Sequence, residues 1–494
     1  MADPILSPDG KWMWTGSEWI PAPPTSASSA DSTINLQDSM MSGDVNVGQN
    51  SNDASSTINL KDSAMSGDIN ITQNNAEDIA TAMVQALERL GFSGQSSPEE
   101  LTPDQEKEVE QFLEISEQLV SYGIEIDPWT EINLGNAAEL AGRTNSAQQH
   151  YLRALETFRK NGDRKGEANS LGNLGNIANR RGDLVEAERL QSGCLTIARE
   201  IKWREGEAGA LRYLGNTALA RGDPDEAERL YHGSLVIDRE IGNQKGIAYS
   251  LGNIGSIAEI RGDLDEAEQA TREVLTIVRD IGDQKGEGIS LVILGNIAHK
   301  RGDYEVAEQF QRESLAITRE IGDREGEGLS LNNLGTSARV RGDLYEAERL
   351  HRESLAIRRE IGDRKGEGNS LDNLGIIAAT RGELAEAERL QREALTIHRE
   401  VRSPWGEADS LINLGVIMQR QGDLAQAERF YRESLSIRKE LNDRLGEADL
   451  FVNLGNIAAS RNDPTEQRRL YTEAVRIWRE IGIPIDQWYI DNGY

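Results

Sequence analysis

Nine segments of forty residues run in unbroken register from residue 126 to residue 485, and this constrains the fold more than any other feature of the chain. They start at 126, 166, 206, 246, 286, 326, 366, 406 and 446. The stretch "LGNIANRRGD" at 174–183 returns as "LGNTALARGD" at 214–223 and as "IGSIAEIRGD" at 254–263. A repeat of this length is one supersecondary unit that cannot bury its apolar face alone and stacks on its copies. Apolar residues make up only 37% of the 494 and aromatic residues 5%, thin for a compact enzyme but sufficient where each unit buries a little against its neighbours.

Within a unit, hydrophobic spacing predicts a first helix of about 14 residues, a glycine turn, and a second helix of about 18. In 166–205, Leu171, Leu174, Ile177 and Ala178 share one face of the first helix, and Gly175 on that face lets the second helix approach. Gly182 is placed to end the helix in a left-handed conformation, and Asp183 to cap the next one. Arg-Gly-Asp is therefore read as last turn, stop and start, not as an adhesion ligand; the same slot holds "RGE" at 381–383 and "QGD" at 421–423. Ala187, Leu190, Cys194, Leu195 and Ile197 form the buried stripe of the second helix. Cys194 stands where other units carry Ser314, Ser354 or Ala394, so it reads as a small packing residue. The charges of "EAERLxRESLxIRRE" recur at spacings of three and four and read as a solvated face with weak ion pairs.

These features resemble the tetratricopeptide repeat. Its pattern is carried by Leu174-Gly175, Ala178, Ala187 and Gln191, again by Leu374-Gly375, Ala378, Ala387 and Gln391, and with a more usual bulky residue at Tyr231 and Tyr431. The family's usual tyrosine is mostly alanine here, its terminal proline is missing, and the unit has forty residues instead of about 34. The longer unit is similar to those of kinesin light chains, Leu-Gly-Asn signalling modulators and helical arrays of microbial regulators. The resemblance implies an all-α, right-handed superhelical solenoid of about nine helix-turn-helix repeats, with the first helices lining a concave groove.

Ahead of the array, residues 1–24 read as a Trp-rich hairpin or tail, with Trp12 and Trp14 on one face of a strand and "TGSE" as a turn before Trp19. Residues 25–75 form a polar segment holding "TINLQDSMMSGDVNVGQN" at 33–50 and "TINLKDSAMSGDINITQN" at 57–74, two β-prone copies in a composition that also suits disorder. Residues 76–125 read as amphipathic helices capping the array, 126–485 as the repeats, and 486–494 as a tail. Residues 1–125 carry 21 acidic and 4 basic side chains, and the rest carries 63 and 50.

A formal charge of −30 argues against nucleic acid, whose binders neutralise phosphates with Lys and Arg, and against anionic membrane surfaces. One cysteine excludes an intrachain disulfide and a cysteine-based metal site. Neither a signal peptide nor a run of eighteen apolar residues is visible, and a cytoplasmic setting is expected. His150, His232, His299, His351 and His398 lie in separate units, and no phosphate-loop, HExxH or GxSxG motif occurs. No catalytic, metal or cofactor site is expected. What recurs on the outward positions of the first helices is asparagine, a mediocre helix former whose amide both donates and accepts. The candidate peptide groove is Asn133, Asn136, Asn173, Asn176, Asn216, Asn253, Asn296, Asn333, Asn373, Asn413, Asn453 and Asn456. Arg180, Arg212, Lys300, Arg339 and Arg420 join them, with Asp372, Asp409 and Asp449 toward the acidic end. Descent from one ancestral unit is the competing explanation of the asparagines. The expected function is a non-enzymatic scaffold holding a protein or peptide. The alternative is a self-assembling display protein, oligomerised through residues 1–75 with the array as spacer.

Overall fold

The computed structural model describes residues 5–6, 12–14, 19–21, 76–92, 101–121 and 123–493. The two β-prone copies at 33–50 and 57–74 lie outside the described residues. Three short strands, Ile5–Leu6, Trp12–Trp14 and Trp19–Pro21, pair antiparallel in that order, with Trp14 opposite both Ile5 and Trp19. Two helices follow, Ala76–Arg89 and Pro103–Ser121; the second buries Val109, Phe112 and Leu119. Then come nine helix pairs, from Pro128–Leu140 with Thr144–Asn161 to Arg444–Ser460 with Pro464–Glu480, and a last short helix, Gln487–Asp491. The chain is an all-α array of helix pairs, as the forty-residue register requires. It divides into two compact units, residues 1–233 and 234–494.

From the second pair onward the first helices run 17 or 18 residues, longer than the periodicity suggests. The reason is the aspartate of the link: Asp363 accepts from the Gly366 amide at 2.8 Å, so "RKG" is already the first turn and not loop. The Arg-Gly-Asp slot behaves as read. Gly182 has φ +79°, and Asp183 accepts from the Glu186 amide at 3.2 Å. The matching link position between units is also left-handed, and there Lys202 and Arg402 adopt φ of 57° and 53° despite their Cβ atoms.

The arginine of that slot has a further task. Arg221 reaches Glu188 at 2.8 Å, thirty-three residues back on the preceding second helix, and Arg381 and Arg461 reach Glu348 and Glu428 in the same way. Arg381 and Arg461 also donate to the carbonyls of Leu344 and Leu424. A second ladder runs forward. Arg359 donates to Glu367, eight residues on, and to Glu393 in the next second helix, both at 2.7 Å, and Arg279 repeats this with Glu287 and Glu313. The charges are therefore not only a solvated face: Glu367 is buried between Arg359 and Arg364. Exposed pairs are individually weak, about 0–1 kcal/mol. Repeated at one register position, they favour a single alignment of neighbouring pairs.

In the first unit one core runs from Met83 and Phe112 through Tyr151 to Leu190 and Cys194. Burial pushes the Cys194 thiol up to about 12, which leaves it unreactive and fits the packing role. At the far end of the second unit, Trp488 and Tyr489 stack edge-on against Tyr471, with Tyr489 also against Trp478.

Candidate binding face on the first helices

Each first helix turns its Leu-Gly stripe into the pair and leaves positions spaced at about four, three and four residues on the opposite face. In Gln244–Arg261 these are Tyr249, Asn253, Ser256 and Ile260; in Arg364–Arg381 they are Asn369, Asn373, Ile376 and Thr380. This open face carries nearly all the asparagines singled out above, and it sorts them by partner.

Three accept from a tyrosine fifteen residues later: Asn136 from Tyr151 at 2.8 Å, Asn216 from Tyr231 at 2.7 Å and Asn456 from Tyr471 at 2.6 Å. Where the second helix holds glutamine instead, the glutamine reaches the next first helix. Gln191 accepts from Thr217 at 2.7 Å and Gln311 from Ser337 at 3.0 Å. Two contacts bridge neighbouring first helices directly, Asn333 to Asn296 at 3.2 Å and Asn373 to Asn332 at 3.1 Å. Asn413 donates to Gln391 at the limit of 3.5 Å. Asn173 and Asn253 bond one turn back on their own helices, to Asn169 and to the Tyr249 carbonyl. Asn176 and Asn453 are half-buried, with no hydrogen bond to other described side chains. Asn133 is buried with its Oδ1 unpartnered.

The basic positions also face neighbours. Arg180 pairs with Glu139, Lys300 with Glu259 at 2.7 Å, and Arg420 donates to the Ala379 carbonyl at 2.8 Å, in each case forty-one residues back. Arg212 is half-buried at the register of Asp372, and Arg339 sits beside His299 and His351 with its Nε unpartnered. Between two first helices, Gly375, Ile376, Ala379, Gln391, Val416 and Arg420 line an open pocket of about 100 Å³.

The acids gather at the far end. Asp372 is buried, accepting from the Ser410 hydroxyl at 2.7 Å and lying 2.8 Å from His398 Nε2. A serine nucleophile needs histidine between serine and carboxylate. Here the carboxylate is in the middle and His398 is fully buried, so the trio is a packing network. Asp409 pairs with Arg438, which also donates to Asp443 at 2.8 Å and lies under the Trp405 ring at 4.8 Å. Desolvation raises the carboxyls of buried Asp372, and of Asp409 and Asp449, whose side chains still reach solvent, above the ordinary range; nearby Asp372 and Asp443 add to this at Asp409 and Asp449, while Arg438 opposes it. Among the described residues no three His, Cys, Asp or Glu side chains are grouped to hold a metal ion, and no helix is long and apolar enough to cross a membrane.

A family model described as tetratricopeptide repeat matches residues 127–200, 206–280, 246–320, 326–400 and 406–480. The chain is similar in structure to the apo form of RapI, at 14% identity and TM-score 0.55, covering 72% of this chain and 98% of that one. It is also similar to the apo form of the quorum sensor NprR from B. thuringiensis, at 13% identity and TM-score 0.50, covering 74% and 99%. A Podosopora anserina kinesin light chain with nearly identical repeats matches at 16% identity and TM-score 0.33, over 39% of this chain and 95% of that one. No curated protein matches the chain.

Proposed function

From the premise that the chain belongs to the tetratricopeptide repeat family, we propose that it is a non-enzymatic scaffold that holds a peptide segment of a partner protein on the open face of its first helices. The fold commonly mediates protein–protein interaction. The observation that carries the reading to this chain is the state of its amides. In the second unit, Asn253 and Asn453 stand on the open face without engaging a neighbouring helix, and asparagine is otherwise a poor choice inside a helix. An amide there can donate to and accept from an extended backbone at once.

The test uses a peptide selected from a random display library on the full chain. Titrated against a variant with Asn253 and Asn453 of the second unit both replaced by alanine, its affinity should fall about tenfold or more, since one such hydrogen bond contributes about 1 kcal/mol net. Alanine is the better helix former, so helicity should hold or rise. Unchanged affinity in the well-folded variant contradicts the role given to the amides and leaves descent as their explanation.

A further inference from the structure

One register position of the open face changes character along six consecutive first helices of the second unit. It is held by Tyr249, Ile289, Leu329, Asn369, Asp409 and Asp449, one per pair at forty-residue steps. The first three are large apolar side chains, 65%, 53% and 39% exposed. Exposed large apolar side chains aligned on successive helices are a surface that a partner can cover. The last two are exposed carboxylates, and the first helices that meet there all contribute acids. Asp372 comes from one first helix, Asp409 from the next, Asp443 and Asp449 from the last. Facing them from the second helices are fully buried His398 and the guanidinium of Arg438, which is divided between Asp409 and Asp443. Asp449 has no ion pair among the described residues.

The geometry points to an extended segment of a partner protein with apolar side chains at one end and lysine or arginine at the other, laid across the first helices of residues 244–460. The inference rests on the capture reading above and supplies the chemistry of the ligand. Packed helices lie about 8–10 Å apart and an extended strand advances about 3.3 Å per residue, so one ligand residue in about three meets each helix. Apolar and basic groups would then be roughly nine residues apart, the distance from Leu329 across Asn369 and Asp409 to Asp449. Between the two ends, exposed Asn369 offers its amide to the ligand backbone. The leader of this chain does not complement the acidic end, because residues 1–125 carry 21 acids against 4 bases.

The experiment selects 15-residue peptides from a random display library on the full chain, then titrates the best synthetic peptide at low and high salt. The partners are the wild type, Asp449→Asn, and the double variant Ile289→Gln with Leu329→Gln. Selected peptides should pair apolar residues with Lys or Arg about nine positions away. Asp449→Asn should weaken binding about fivefold and flatten its salt dependence. The double variant should weaken it about tenfold or more and leave the salt dependence in place. All three sites are exposed, and circular dichroism checks that the helices persist. Peptides without basic residues, or binding insensitive to either variant, overturn this inference while capture on the open face stands. A selection that yields no binder overturns both.

Discussion

Between pH 6.5 and pH 4 the wild-type chain should lose about 3 kcal/mol more stability than a His351→Gln variant. His351 is fully buried in the second helix Leu344–Glu360. The network assigns its tautomer. Asn332 Oδ1 already accepts from Asn373 and lies 3.2 Å from His351 Nδ1, so Nδ1 must donate. Nε2 then holds the lone pair and has no partner. Protonating it would put a buried charge against Gly335 and near the Arg339 guanidinium. Burial, helped by Arg339, accordingly pushes the imidazole down to about 4 from its ordinary 6.5. The folded-state value is depressed, so the unfolded chain takes up the proton first. The stability present above pH 6.5 is lost as pH falls toward 4. At 1.36 kcal/mol per pH unit the gap amounts to about 3 kcal/mol. Glutamine does not titrate, and other units already hold it at this slot as Gln191, Gln311 and Gln391. Denaturant titrations of both proteins at pH 7 and pH 4 read the difference. Parallel losses would show that His351 is not held neutral.

Two first-helix glycines, Gly215 of a Leu-Gly pair and Gly252, should answer alanine with opposite sign. A Cβ on Gly215 would sit 2.6 Å from the Tyr231 ring, which is fully buried and tied by its hydroxyl to Asn216. The ring has no room to retreat. Overpacking of this kind costs about 1–3 kcal/mol, against a helix-propensity gain of about 1. The fixed ring puts the cost in the upper part of that range, so Gly215→Ala should destabilise by about 1–2 kcal/mol net. Gly252 lies in a first helix with nothing within 4 Å of its Cβ position, so Gly252→Ala should stabilise by about 0.5–1 kcal/mol. Thermal or denaturant unfolding of the two variants decides it. If Gly215→Ala is as stable as the wild type, the tyrosine is not the wall described here.

The array could be read from the sequence because its signals are local and repeated nine times. The glycine that must turn left-handed, the aspartate that caps three residues on, and the Leu-Gly stripe each sit inside one unit. The role of each asparagine could not be read locally, because it depends on a residue fifteen positions later on another helix. Tyr231 engages Asn216, whereas Gln191 leaves Asn176 unengaged and reaches Thr217 instead. The spacing of Asn-x₁₄-Tyr, present in some units and absent in others, was a signal available for this. The reach of Arg381 to Glu348 spans thirty-three residues and joins two units, so neither helical periodicity nor pair spacing exposes it. The apolar-to-acidic line from Tyr249 to Asp449 was equally hidden, since it appears only when one column of the repeats is read downward.

The claim that the first helices form the binding face is tested most directly by hydroxyl-radical footprinting of the second unit with a library-selected peptide bound to the full chain. Two tyrosines make the comparison. Tyr249 lies on a first helix and is 65% exposed, and Tyr345 lies on a second helix and is 79% exposed. Bound peptide should protect Tyr249, together with Trp405 at the acidic end, and leave Tyr345 as reactive as in the free chain. Protection of Tyr345 with Tyr249 and Trp405 still open would contradict the account.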